Sequence, residues 1–209
     1  MSLRIVVLVS GEGTNLQALI DGVHGQDGIE IVGVAASHPG APGLERARRA
    51  EIPAACFEIA DFADRDVRDG ALGDWIEGQS AELVVLAGWM QLLSRGLVER
   101  FAGAIINVHP ALLPAFPGLH AIERAIEHGV KVAGVTVHYV DEGVDSGPII
   151  LQRAFDLPYA ASVERIEEIV HGIEHELLPR AVRLIAKRAV RRDPENPRVV
   201  LIEEEHGSG

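Results

Sequence analysis

A chain of 209 residues with 47% hydrophobic content can bury a substantial core and is too apolar to be disordered. Its net charge of −12 opposes binding to a nucleic-acid backbone, and no apolar run is long enough to span a bilayer. The single cysteine, Cys56, excludes an internal disulfide, which fits a reducing cytoplasm.

With aromatics at only 4%, the core falls to Val, Ile, Leu and Ala, a palette suited to a parallel sheet covered on both faces. RIVVLVS (residues 4–10) reads as a buried strand, and TNLQALIDGV after it has helical spacing at Leu16, Leu19 and Ile20. IEIVGVAAS is a second strand, followed by the helical GLERARRAE. PAACFEI is a third, with Cys56 expected as a buried, inert thiol. The helical DRDVRDGALGDWIE and the strand ELVVLAG complete a βαβαβαβ series. The strand AIIN ends in Asn107, His109 and a proline-rich apolar loop.

A short helix, LHAIERAIEHG, then leads into KVAGVTVHYV and PIILQRAFDL, joined by the turn-rich DEGVDSG. These two strands predict an antiparallel hairpin added to the sheet edge. A long amphipathic helix spans residues 162–190, with Pro179 expected to kink or break it. RRDPENP reads as a linker, VVLI as a final strand and EEEHGSG as a mobile acidic tail. The fold class is therefore α/β, a Rossmann-like, mostly parallel sheet with flanking helices and an antiparallel edge hairpin. Residues 1–189 are expected to form one domain, with halves at 1–101 and 102–189, and 190–209 a C-terminal extension.

The loop SGEGTN joins the first strand to the first helix, where small residues and a helix N-terminus can receive an anion. Leu16 stands where a dinucleotide fingerprint needs a third small residue, and the Gly-Lys pair of a Walker loop is absent. A phosphate monoester site and a merely tight βα turn both remain open. Asn107 and His109, two apart on a strand, point to the same side at its C-terminal end. An amide beside an imidazole suits an oxyanion formed from a carbonyl, and a polar strand end with capping roles is the plain alternative. Asp145, in the DEGVDSG turn, is either an Asx-turn residue or a carboxylate that raises the His109 pKa and favours the imidazolium.

SGEGTNLQALI, AGWMQLLS, INVHPALLPAFPGLHAI and GVTVHYVDEGVDSGPIILQ occur in that order. Together they resemble the phosphoribosylglycinamide formyltransferase family, the folate-dependent enzymes of purine synthesis. The resemblance runs from about Arg4 to Pro179, and residues 134–150 fit the general formyltransferase signature at each fixed position. It implies catalytic roles for Asn107, His109 and Asp145. It implies ribonucleotide contacts at Gly13, Thr14, Asn15, His171 and Glu174. It implies folate contacts at Arg65, Met90, Gln91, Leu92, Leu93, Asn107 and Asp141, with 10-formyltetrahydrofolate as formyl donor and no metal. The implied partners are small molecules, with neither nucleic acid nor membrane, acting on a monomer or homodimer in the cytoplasm. Three departures stand out. Ala115 replaces a basic residue common in the family, Gln91 an arginine, and His171 a Lys or Gln near the substrate phosphate.

HGIEH, residues 171–175, also spells the H-x-x-E-H pattern of inverted zinc peptidases, although the same helix accounts for His171 and Glu174 as substrate contacts. His138 reads as a sheet-face residue and His120 as a candidate lining residue. A sibling folate enzyme, such as a formyltetrahydrofolate hydrolase or another formyltransferase, and a non-catalytic folate- or nucleotide-binding module are the competing functions.

Overall fold

The structure is a computed structural model describing residues 2–158 and 161–203. Its centre is β1 (Leu3–Val9), where the two-residue period of a strand sends Ile5, Val7 and Val9 to one face and Val6 and Leu8 to the other. All five are 0% exposed, which is why the sequence shows a continuous apolar run instead of an alternation. β2 (Ile29–Ala36), β3 (Ala54–Cys56), β4 (Leu83–Leu86) and β5 (Ile105–His109) join β1 in parallel in the order β3-β2-β1-β4-β5. β6 (Val132–Tyr139) and β7 (Ile149–Asp156) continue the sheet antiparallel, making seven strands.

The helices are α1 (Thr14–Gly22), α2 (Gly43–Arg49), α3 (Arg65–Gly78), α4 (Arg95–Arg100), α5 (Ala121–Glu127) and α6 (Val163–Ala186). α1 and α6 pack on the Ile5 face through Leu16, Leu19, Ile166, Val170 and Leu177. α3 covers the Val6 face through Leu72 and Ile76, together with Leu97 of α4. The chain reverses its strand order at β1, leaving a crevice between the loops that follow β1 and β4. The two loops are tied at their bases: Ser10 N–H donates to the Gly88 carbonyl at 3.0 Å, and Met90 N–H to Ser10 Oγ at 2.9 Å.

Three expectations change, and one helix is new. Cys56 is exposed, because β3 shrinks to a three-residue edge strand followed by a 3₁₀ turn at Ile59–Asp61. Pro179 does not break α6, which continues for 24 residues; the ring is buried and would lie 3.6 Å from a Cβ at Gly22 of α1. The linker is partly structured: β8 (Val190–Arg192) pairs antiparallel with β9 (Val200–Ile202), joined by turns in which Asp193 and Asn196 side chains accept backbone N–H groups. α4, capped by the Ser94 hydroxyl, had no counterpart among the expected elements. The acidic tail from 204 onward lies outside the described residues.

Candidate active site

β5 delivers Asn107 and His109 to the sheet's C-terminal edge, and its antiparallel pairing with β6 sets Asn107 opposite His138 and His109 opposite Thr136. The loop between β6 and β7 folds back so that Asp145 meets them. Asp145 adopts a left-handed φ of 49°, and Gly147, two residues on, is obligatory, because a Cβ there would lie 1.8 Å from the Tyr139 carbonyl oxygen. Asn107 Nδ2 donates to Asp145 Oδ1 at 3.3 Å and lies 3.3 Å from His138 Nε2. His109 Nδ1 is 3.3 Å from Asp145 Oδ2, and His138 Nε2 is 3.5 Å from Asp145 Oδ1. The expected trio is therefore brought together.

The surroundings fix these side chains. Gly118 N–H donates to Asp145 Oδ2 at 2.7 Å. His109 Nε2 donates to the Phe116 carbonyl at 2.9 Å, and His138 Nδ1 to the Tyr139 carbonyl at 2.8 Å. Thr136, fully buried, donates to the Ala111 carbonyl at 2.6 Å and accepts from Leu113 N–H at 3.2 Å. Gln152 adds bonds of 2.9 Å to the Leu113 carbonyl and to the Thr136 hydroxyl. The proline loop is thus tied to β6 and β7 as well as to Asp145.

Burial pushes the Asp145 carboxyl up, but the His138 side chain, Gly118 N–H and the neighbouring His109 outweigh it and hold its pKa at about 2. Burial is also the largest influence on His109, pushing its pKa below 6.5; Asp145 and the Phe116 carbonyl push it up without overcoming burial. The expected rise in the His109 pKa is thereby corrected. Desolvating the ring costs more than one nearby carboxylate returns.

On the β1 side, Gly13 caps α1 with φ 69°, and a Cβ there would meet Gly43 Cα at 2.8 Å, so only glycine fits. Thr14 opens α1, and Asn15 turns inward to donate to Glu174 Oε2 of α6 at 2.8 Å. Burial raises the Glu174 pKa, against the opposing effects of Asn15 and His171. The ring of His171 stacks on His175 at 6.2 Å between centroids. These residues form a second cluster where α1 and α6 cross. Among the described residues, no group of three or more His, Cys, Asp or Glu is placed to hold a metal ion, and no helix is long and apolar enough to cross a membrane.

Residues 90–93 leave β4 beside β5, with Met90 and Leu92 exposed and Gln91 and Leu93 half-buried. Asp141 Oδ1 accepts from Ser146 Oγ at 2.7 Å and Gly143 N–H at 3.1 Å, closing the Asp145 loop on itself. Arg65 joins neither cluster. It is exposed at the start of α3 and lines a surface cleft with Asp66, Asp69, Ser94, Arg95 and Arg100. His120 is also outside, exposed and 3.2 Å from Glu123.

A family model described as formyl transferase matches residues 3–182, which include both clusters. The chain belongs to the formyl transferase family. Among its relatives, the phosphoribosylglycinamide formyltransferase of Haemophilus influenzae is 39% identical over 90% of this chain and 89% of that protein. The trifunctional purine biosynthetic protein adenosine-3 of Drosophila pseudoobscura pseudoobscura is 44% identical over 92% of this chain, which spans only 14% of that protein's length. The crystal structure of glycinamide ribonucleotide transformylase 1 from Symbiobacterium toebii superposes with a TM-score of 0.92 at 43% identity, covering 97% of this chain and 95% of that one. The seven-stranded sheet with its antiparallel pair is the architecture of these formyl transferase neighbours.

Two residues packed against this candidate site escape the sequence. His138 is 1% exposed and touches both Asn107 and Asp145, although strand alternation alone makes it an ordinary face residue. Its signal was the β5–β6 pairing, which places it directly across from Asn107. Arg68, in the charged run DRDVRDG, reads as part of a solvated helix face yet is 0% exposed beneath residues 89–94.

Proposed function

We propose that this chain transfers the formyl group of 10-formyltetrahydrofolate to the amine of 5′-phosphoribosylglycinamide, a step of de novo purine synthesis. The observation that carries this reading is the convergence of Asn107, His109 and Asp145 at the C-terminal edge of the sheet, with the Gly13–Glu174 cluster on the β1 side of the crevice. The relatives' shared activity points the same way.

The surroundings suit a flat, partly apolar cosubstrate. Met90, Leu92, Leu119 and Val144 are between 51% and 66% exposed and lie on the three loops flanking the trio. Exposed apolar side chains concentrated around polar groups mark a binding site more than a bare surface does. Backbone N–H groups at the start of α1 suit the ribonucleotide phosphate, and Glu174 and His171 of α6 suit its sugar and phosphate side.

In the proposed reaction the glycinamide amine attacks the formyl carbon, giving a tetrahedral oxyanion. Asn107 supplies an N–H to it; its present bonds, at 3.3 Å, are long enough to be exchanged for a shorter one. His109 starts neutral and takes the proton that the amine releases, directly or through water. The imidazolium so formed faces Asp145 Oδ2 and the Phe116 carbonyl, both acceptors, and adds positive charge beside the oxyanion. The carbon–N10 bond then breaks, and N10 receives the proton as tetrahydrofolate leaves. His138, with its Nδ1–H on the Tyr139 carbonyl, presents Nε2 as an acceptor to Asn107 Nδ2 at 3.3 Å, and so helps to orient that amide.

Incubating the protein with both substrates tests the reading, the formylated ribonucleotide and tetrahydrofolate being expected in equal amounts. Formyl transfer to another amine only, by well-folded protein, would assign the chain to a sibling enzyme.

A further inference from the structure

Arg68 heads the largest fully buried side chains, and a guanidinium out of water is costly unless its donors are matched. Its Nε lies 2.6 Å from Asp69 Oδ1. Its Nη1 donates to Gln91 Oε1, and its Nη2 to the Leu92 carbonyl at 3.3 Å. The guanidinium carbon sits 5.4 Å from the Trp89 ring centroid, a cation–π contact. Asp69 Oδ2 accepts from Ser94 N–H. Apart from the Arg68–Asp69 pair itself, these contacts all reach residues 89–94, the segment that leaves β4 beside Asn107.

A glutamine amide can offer a neighbour either its oxygen or its NH₂, and its shape is nearly the same both ways. A guanidinium carries only donors, so it accepts only the oxygen as partner. With Oε1 accepting from Arg68, the NH₂ of the half-buried Gln91 is the end that this bond leaves unengaged. We infer that Arg68 is a positioning residue that locks Gln91 with its amide N–H groups toward the folate side of the crevice, making position 91 a donor that selects an acceptor atom on the formyl donor. The inference rests on the proposed function, in which the loop carrying Met90 and Leu92 flanks the formyl-tetrahydrofolate. It also explains how a glutamine there can serve where a donor is wanted. The charge stays buried on α3, and the neutral amide relays its polarity to the surface.

Gln91→Glu is the decisive variant. The new carboxylate pairs with Arg68 and keeps the fold, so the melting temperature should not fall. The outward atom becomes an acceptor, however. KM for 10-formyltetrahydrofolate, and the donor's Kd measured by calorimetry without the ribonucleotide, should rise about tenfold or more. KM for the ribonucleotide should hold, and kcat should change far less than the donor KM. Arg68→Gln, which frees the amide to flip, should raise the donor KM in the native background and add nothing in a Gln91→Ala background. An unchanged donor Kd in Gln91→Glu, or effects of the two positions that multiply, would overturn the inference. Should Arg68→Gln fail to fold, the Gln91→Glu result alone decides. If the native protein binds the donor but transfers no formyl group, the functional reading fails while the Gln91→Glu binding result still tests this one.

Discussion

Gly118 N–H donates at 2.7 Å to Asp145 Oδ2, the same oxygen that faces His109 Nδ1 at 3.3 Å. One carboxylate oxygen thus joins the proline loop to the histidine at the end of β5. Replacing it by an amide keeps the volume but can turn an NH₂ toward Gly118 N–H or His109. Asp145→Asn is expected to lower kcat by about 10²-fold or more, with smaller changes in either KM. Steady-state kinetics with each substrate varied in turn checks this.

The pKa directions set a pH profile. His109 lies below 6.5, so in the free enzyme it is neutral through the neutral range and ready to accept a proton. The value of kcat/KM should therefore rise along an acid limb with a midpoint below 6.5 and stay level above it. Activity that falls as pH rises through 5–7 would show that an imidazolium is needed from the start.

Stability follows from the same groups. The folded-state pKa values of His109 and Asp145 both lie below their unfolded values, so the folded state binds fewer protons. Their contribution is present above the unfolded pKa and is lost as pH falls: for His109 from 6.5 downward, for Asp145 from 3.8 toward about 2. Urea denaturation should give a lower midpoint at pH 5 than at pH 7. His109→Gln, which removes the titrating ring, should flatten that difference.

Asn15 and Glu174 meet across 159 residues of sequence, and the Asn15 Oδ1 is buried with no partner among the described residues. Glu174→Gln retains an acceptor for Asn15 and removes a carboxyl whose pKa burial has raised. It should hold or raise stability, most visibly well above pH 4.5, where the native carboxyl must either ionise in a dry site or stay protonated. Glu174→Ala strands the Asn15 amide and should cost about 1–3 kcal/mol. Both should raise KM for the ribonucleotide more than KM for the folate, read from thermal melts and kinetics.

Gly13→Ala should be among the most disruptive conservative changes. It meets Gly43 Cα at 2.8 Å and demands a left-handed backbone from alanine, a strain of about 1–2 kcal/mol before the clash is counted. A lowered melting temperature with a raised ribonucleotide KM is expected.

The parallel half of the fold was legible because β-branched runs such as RIVVLVS have few other uses in a chain this poor in aromatics. Asn107 and His109 were legible as a pair because strand alternation puts them side by side, whereas the turn around Asp145 left it an ordinary Asx-turn candidate until the family resemblance singled it out. His138 was hidden, since its role depends on which residue of a neighbouring strand stands opposite. The same holds for Arg68: a charge in a helical stretch is usually solvated, and only the packing of α3 under residues 89–94 buries it. β8 was hidden by its brevity and two arginines, and Cys56 by the shortness of its edge strand. The His109 shift depended on how dry the site is, which no residue pattern reports.

The most direct measurement follows a formyl group labelled on the donor, in native protein and in His109→Ala, with the ribonucleotide present. In the native protein the label should appear on the ribonucleotide amine, one equivalent for each tetrahydrofolate released. In His109→Ala, folded by circular dichroism, transfer should fall by about 10²-fold or more. Label released as formate by the native protein, or near-native transfer by His109→Ala, would contradict the proposed function and mechanism.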